Sequence, residues 1–126
     1  MTDFPPVILV RGKVLHVPGA IVICHNPYTI TGAGRFVPFR YKRPSNVFHI
    51  AEALIARRGL PLHYDEIIEH IYADDIFAEP DFAEDAVQVN VHKLRRTLPI
   101  IGITIQTRWG WGFQAAALPQ QARAAA

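Results

Sequence analysis

Only one cysteine, Cys24, occurs in the 126 residues, so no disulfide can form within the chain. It stands in the apolar run AIVIC and reads as a buried thiol. No apolar run approaches the length needed to span a bilayer. The start, MTDFPP, lacks a cationic segment followed by a long apolar core, which argues against a secretory signal. A cytoplasmic, reducing compartment is therefore expected, with no membrane partner. No P-loop, dinucleotide fingerprint or serine-nucleophile motif is present. The six histidines, His16, His25, His49, His63, His70 and His92, show no ligand spacing and have no cysteine cluster beside them. Glu66 and His70, one helical turn apart, read as a surface pair. Neither a metal nor a cofactor is expected, and an enzyme is disfavoured.

Net charge is also scarce, at +2. That is too little to demand a polyanionic partner, but charge of each sign is missing from long stretches. Between Arg58 and Lys93 there is no Lys or Arg, while Asp65, Glu66, Glu69, Asp74, Asp75, Glu79, Asp81, Glu84 and Asp85 all fall there. After Asp85 there is no acid, and Lys93, Arg95, Arg96, Arg108 and Arg123 follow. Arg35, Arg40, Lys42 and Arg43 form a second basic group. Such asymmetry orients a protein on a charged partner, unless folding spreads the charges evenly over the surface.

Half the residues are hydrophobic, enough for one domain with a core. Residues 1–6 read as a disordered lead. Residues 7–43 are rich in Val, Ile, Thr, Tyr and Phe and are broken by Arg11-Gly12, Pro18-Gly19, Asn26-Pro27 and Gly32-Ala33-Gly34. Segments 7–10, 13–17, 20–25, 28–31 and 35–39 are the expected strands. Their tight spacing implies hairpins and an antiparallel sheet. The period then changes. Three helices are expected within 44–98, the first with Ser45 as N-cap and Gly59 as its stop, the second near 64–72. Ile103, Ile105 and Thr107 alternate with Thr104, Gln106 and Arg108 as in a half-buried strand. Gly110-Trp111-Gly112 makes a hairpin tip, closing a unit at 99–114. Residues 115–126 read as a flexible tail.

The third helix, residues 84–98 (EDAVQVNVHKLRRTL), is the informative one. Val87, Val91, Leu94 and Leu98 form one apolar stripe. The opposite face carries Asp85, Ala86, Val89, Lys93 and Arg96, with Asn90, His92 and Thr97 on its flanks. Small and apolar side chains beside cations suit the major groove of DNA, where Lys donates to guanine, Asn pairs with adenine and Val touches a thymine methyl. An amphipathic helix with a basic end is the plainer reading of the helix taken alone.

Two motifs in sequence decide between them. V-x-V-x-V-x-K-L-R-R-x-L at residues 87–98 precedes T-R-W-G-W-G-F at residues 107–113. Together they resemble the DNA-binding effector domain of OmpR/PhoB-type response regulators, strongly over residues 47–114 and more loosely before. The resemblance implies an α+β winged helix-turn-helix fold, with an N-terminal antiparallel sheet, three helices and a C-terminal β-hairpin wing. It implies a sequence-specific transcriptional regulator of prokaryotic or phage type, associated with the nucleoid. Its recognition helix 84–98 would enter the major groove of double-stranded DNA. Val89 and Lys93 would then face base edges, with Asn90, His92, Arg95 and Arg96 near bases or phosphates. Thr107, Arg108, Trp109 and Trp111 would lie in the wing (103–114), against the adjacent backbone or minor groove, and Tyr72 near phosphate. For Trp109, packing of the hairpin and contact with DNA stay open.

The family also suggests RNA polymerase as a partner through the loop between the second and third helices, and homodimers on tandem half-sites. Here that loop is residues 73–83, with Asp74, Asp75, Phe77, Glu79 and Asp81 as candidate protein contacts. The alternative function is accordingly a winged helix that binds a protein through this loop. Within the 126 residues there is no room for a receiver domain, so control by aspartate phosphorylation in this chain is not expected. Arg108 replaces an apolar wing residue of the family, and His63 a Ser or Thr cap of the second helix.

Overall fold

A computed structural model describes residues 4–39, 46–72 and 83–118. Strands β1 (Val7–Arg11), β2 (Ile21–His25), β3 (Thr29–Gly32) and β4 (Arg35–Pro38) form one sheet in that order. Helices α1 (Asn46–Ala56), α2 (Tyr64–Tyr72) and α3 (Ala83–Thr97) follow, with the two-residue strand β5 (Leu62–His63) between α1 and α2. A 3-10 turn (Leu98–Ile101) leads into β6 (Ile103–Arg108) and β7 (Gly112–Ala117), and the second sheet runs β5-β7-β6.

The core lies where the helices meet both sheets. Val87, Val91, Leu94 and Leu98 are fully buried, so the stripe read from the sequence is the face that seats α3. Burying a Val or Leu side chain is worth about 1.5–3 kcal/mol, so Val87, Val91 and Leu94, with Leu98 in the 3-10 turn just beyond, fix the rotation of α3 about its axis. Their partners include Phe48, Ile50, Leu54 and Ile55 of α1 and Ile67 and Ile68 of α2. Ile103, Ile105 and Phe113 of the second sheet join the same cluster.

The N-terminal sheet departs from the hairpin expectation. β1 and β2 pair in parallel, with Val7 opposite Ile21 and Arg11 opposite His25, whereas β2–β3 and β3–β4 are antiparallel. Two parallel neighbours cannot be joined by a tight turn. Residues 12–20, part of which reads as a strand in sequence, instead make the return crossing. Their carbonyls are held by the sheet: the Cys24 thiol donates to Lys13 O at 3.2 Å and the Thr31 hydroxyl to Leu15 O at 2.8 Å. This cover explains why β2 is buried at four successive positions, Ile21 to Cys24, rather than at alternate ones. Alternation fails as a guide to strand direction when both faces are covered.

Two boundaries also move. Of the lead, Phe4 packs on the core and Pro6 O accepts from Ile21 N at 2.9 Å, so order begins before β1. At the other end β7 continues to Ala117, paired with Ile103, and Leu118 N donates to Gly102 O at 2.9 Å. The alanines of 115–117 are ladder, not tail. Ser45, the acidic stretch 73–82 and residues 119–126 lie outside the described residues.

β5 is short enough to escape notice in a sequence, yet it sets the approach of the wing to α2. Leu62 pairs with Phe113 and His63 with Gly112. A Cβ on Gly112 would stand 2.0 Å from Leu62 O and 2.9 Å from His63 Cα. Backbone is on the other side, so no side-chain movement relieves the clash. Gly112→Ala should therefore break the β5–β7 pairing and destabilise the domain by about 3 kcal/mol or more, read as a lower midpoint of urea denaturation.

Candidate nucleic-acid interface

Opposite its buried stripe, α3 presents Asp85, Val89, His92, Lys93 and Arg96, all exposed. At 100° per residue these five lie in one band along the helix. Val89 is 56% exposed, a large fraction for a β-branched apolar side chain. Asn90 is half-buried on the flank. Among the described residues, no carboxylate forms an ion pair with Lys93, Arg96 or Arg108. All three side chains are exposed. Asp85 sits near the N-terminal end of the band, where the helix dipole favours an acid but a nearby phosphate would not.

Arg95 is one residue away in sequence and differs in position. It is half-buried and turned onto the wing. Its Nε donates to Ile105 O at 3.0 Å, its Nη2 donates to the Thr107 hydroxyl, and its guanidinium lies 5.8 Å from the centre of the Phe113 ring. Arg95 and Thr107, both expected at the DNA, thus bond each other inside the protein and brace α3 against β6. The planar fork of donors holds the carbonyl and the hydroxyl in one fixed geometry.

The wing tip carries the most exposed aromatic side chain. Gly110 takes φ +71°, and Trp111 N donates to Arg108 O at 2.9 Å, which closes the turn. Trp109 is 91% exposed, and Arg108 beside it is exposed as well. The open question of packing or exposure for Trp109 is settled as exposure. Trp111 is less free. Its ring stands edge-on to His63 with centroids 5.1 Å apart, and its carbonyl accepts from Tyr64 N at 3.1 Å. Tyr72 closes α2, and its side chain lies outside the described residues, as do Asp74, Asp75, Phe77, Glu79 and Asp81.

α2 begins at this contact. His63 Nδ1 accepts from Asp65 N at 3.1 Å, and the Glu66 carboxylate accepts from His63 N at 3.3 Å. This reciprocal arrangement is a capping box in which an imidazole nitrogen replaces a hydroxyl. His63 therefore does the work of the Ser or Thr it replaces. Gln88 Nε2 of α3 donates to the Tyr64 hydroxyl at 2.7 Å, tying the starts of the two helices together. Glu66 is accordingly engaged with His63. His70 lies instead 3.6 Å from Glu52 of α1, which also meets His25. Nothing in the spacing of those residues announces this, because they come from three separate elements.

Two helices, a buried-and-exposed third helix and a glycine-turned hairpin held to both define a winged helix-turn-helix domain. The chain belongs to the family described as "Transcriptional regulatory protein, C terminal", whose model matches residues 41–115. It thus carries the OmpR/PhoB-type DNA-binding domain of transcription regulators. No curated relative matches the chain. No helix among the described residues is long and apolar enough to cross a membrane.

The brace has a measurable worth. Arg95→Ala removes two hydrogen bonds from a charged donor and should lower folding stability by about 2 kcal/mol. Arg95 and Thr107 in a double-mutant cycle with Thr107→Val should show coupling of about 1 kcal/mol in urea denaturation. Additive effects would mean that the two side chains act independently.

Proposed function

We propose that the chain is a sequence-specific regulator of transcription that binds double-stranded DNA with α3 in the major groove and the wing on the adjacent backbone or minor groove. One observation carries the reading: the exposed band of α3 combines a methyl-bearing side chain, Val89, with two cations, Lys93 and Arg96, that meet no carboxylate among the described residues. An exposed valine beside cations matches a thymine methyl flanked by phosphates. In this mechanism Lys93 donates to a guanine edge, Val89 packs on a base, and Arg96 and Arg108 neutralise phosphates. His92 and Asn90 flank the contact. Trp109 lies along the sugar-phosphate wall. Arg95 and Thr107 act indirectly, by fixing the angle between helix and wing. Residence at the nucleoid follows from such binding.

Phosphate contacts position the protein and base contacts choose the sequence. Selection from a random duplex library should therefore enrich a defined motif for the wild type. Lys93→Ala should weaken binding to that motif by about 1–3 kcal/mol and relax the preference at one base. Absence of any enriched motif would sink the reading of sequence specificity. A partner captured from nuclease-treated lysate, with no mobility shift on DNA, would favour the protein-binding alternative.

The cations give a second check. Arg96→Ala and Arg108→Ala should each lower the salt slope of binding by about one unit. Arg95→Ala should leave the slope unchanged, because its guanidinium is spent inside the protein. A slope that falls only for Arg95→Ala would reverse the assignment.

A further inference from the structure

Away from the exposed band of α3, the fold gathers three histidines around one carboxylate. His49 and Glu52 stand three residues apart on α1 and so share a face. His70 comes from the last turn of α2 and His25 from the end of β2. His25 Nε2 hydrogen-bonds Glu52 Oε2, and His70 Nε2 lies 3.6 Å from Glu52 Oε1. The rings of His49 and His70 have centroids 5.6 Å apart and planes at 79°. One ligand atom from each of His49, Glu52 and His70 falls within 4.8 Å of the others.

We propose that His49, Glu52 and His70 bind a divalent first-row transition ion such as Zn2+, with His25 orienting the carboxylate from its other oxygen. The donor set decides the class of ion. Two imidazoles and one carboxylate suit Zn2+ and its neighbours, while Mg2+ and Ca2+ require oxygen ligands. Distances agree. Zinc bonds of about 2.0–2.1 Å place adjacent tetrahedral ligand atoms about 3.4 Å apart, and His70 Nε2 and Glu52 Oε1 are already 3.6 Å apart. Small side-chain rotations close the rest. Three protein ligands leave a fourth position for water.

The surroundings favour the ligating form of Glu52. Burial would raise the Glu52 pKa, but the His70 and His25 imidazoles beside it more than offset this, and it lies below the usual 4.5. The carboxylate is thus ionised at neutral pH and offers only acceptor oxygens. His25 then fills the role of an outer partner that holds a ligand in its working orientation. His70 has 42% of its side chain exposed, so an ion has a route in from solvent. The ion would join α1 to α2, the helix whose first turn is capped against the wing. Since the ligands converge only in the fold, binding stabilises the native state.

The test uses the full chain without any histidine tag, stripped with a chelator. Calorimetric titration with Zn2+ should show a single saturable ion per chain, and Co2+ should give a visible band of tetrahedral type. At about a hundred times the dissociation constant, Zn2+ should raise Tm by about 10 °C. His70→Ala and His49→Ala should abolish all three signals, and His25→Ala should weaken binding about 10- to 100-fold. His16→Ala should leave the uptake, the Co2+ band and the Tm rise unchanged. His70 is exposed enough for its variant to fold, so the test survives if His49→Ala does not. No saturable uptake by the wild type, or a response that persists in His70→Ala, overturns the proposal.

Discussion

Phe113 is where the helices and the wing meet. Its ring is fully buried at the start of the return strand, with Tyr64 of α2 edge-on at 5.2 Å and the guanidinium of Arg95 from α3 at 5.8 Å. The backbone of the same residue pairs with Leu62, just before α2 begins. One side chain therefore senses the second helix, the third helix and the wing together. A groove-binding protein needs helix and hairpin at a fixed separation, since a small error in angle displaces the tip by several ångströms. Phe113 supplies the pivot, and the Arg95 fork sets the angle about it. Gly112 next to it has no side chain because β5 passes too close to admit one.

Much of this arrangement was legible in the residues. The stripe of Val87, Val91, Leu94 and Leu98 named the buried side of α3, and from it the exposed side followed by geometry alone. The alternation in β6 and the glycines at the tip located the wing. What could not be read was which cations are free. Arg95 and Arg96 are adjacent and chemically identical, yet 100° of helical rotation sends one into the protein and the other into solvent. Resemblance to a family assigns both to DNA. Only the position of Ile105 O and Thr107 distinguishes them.

The N-terminal sheet failed for a different reason. Turn residues at Arg11-Gly12 and Pro18-Gly19 suggest two hairpins, and both pairs do mark bends: Gly12 and Gly19 take φ of +90° and +78°. They bracket a crossing segment rather than a strand. The covered outer face then removes the alternation that would have exposed the error, and Cys24, Thr29 and Thr31 are buried on a surface that ordinarily meets water. Glu52 illustrates a third kind of illegibility. A carboxylate surrounded by His25, His49 and His70 is a property of packing α1, α2 and β2 together, and no spacing within one element encodes it.

Weak net charge and a nucleic-acid partner are compatible once the charge is placed. The acids end at Asp85 in sequence, and among the described residues Lys93, Arg96 and Arg108 meet no carboxylate. On the proposed mechanism Lys93 addresses a base, leaving Arg96 and Arg108 for phosphates among the described residues. Two phosphate contacts release about two counterions, and a fourfold rise in salt then weakens binding only about 10-fold. Proteins with six to ten such contacts lose about 10³–10⁵ over the same range. These two contacts by themselves confer little affinity for arbitrary sequence. On the proposed mechanism discrimination rests on base contacts and on the fit of helix and wing, and the rigidity of the Phe113 junction serves that fit.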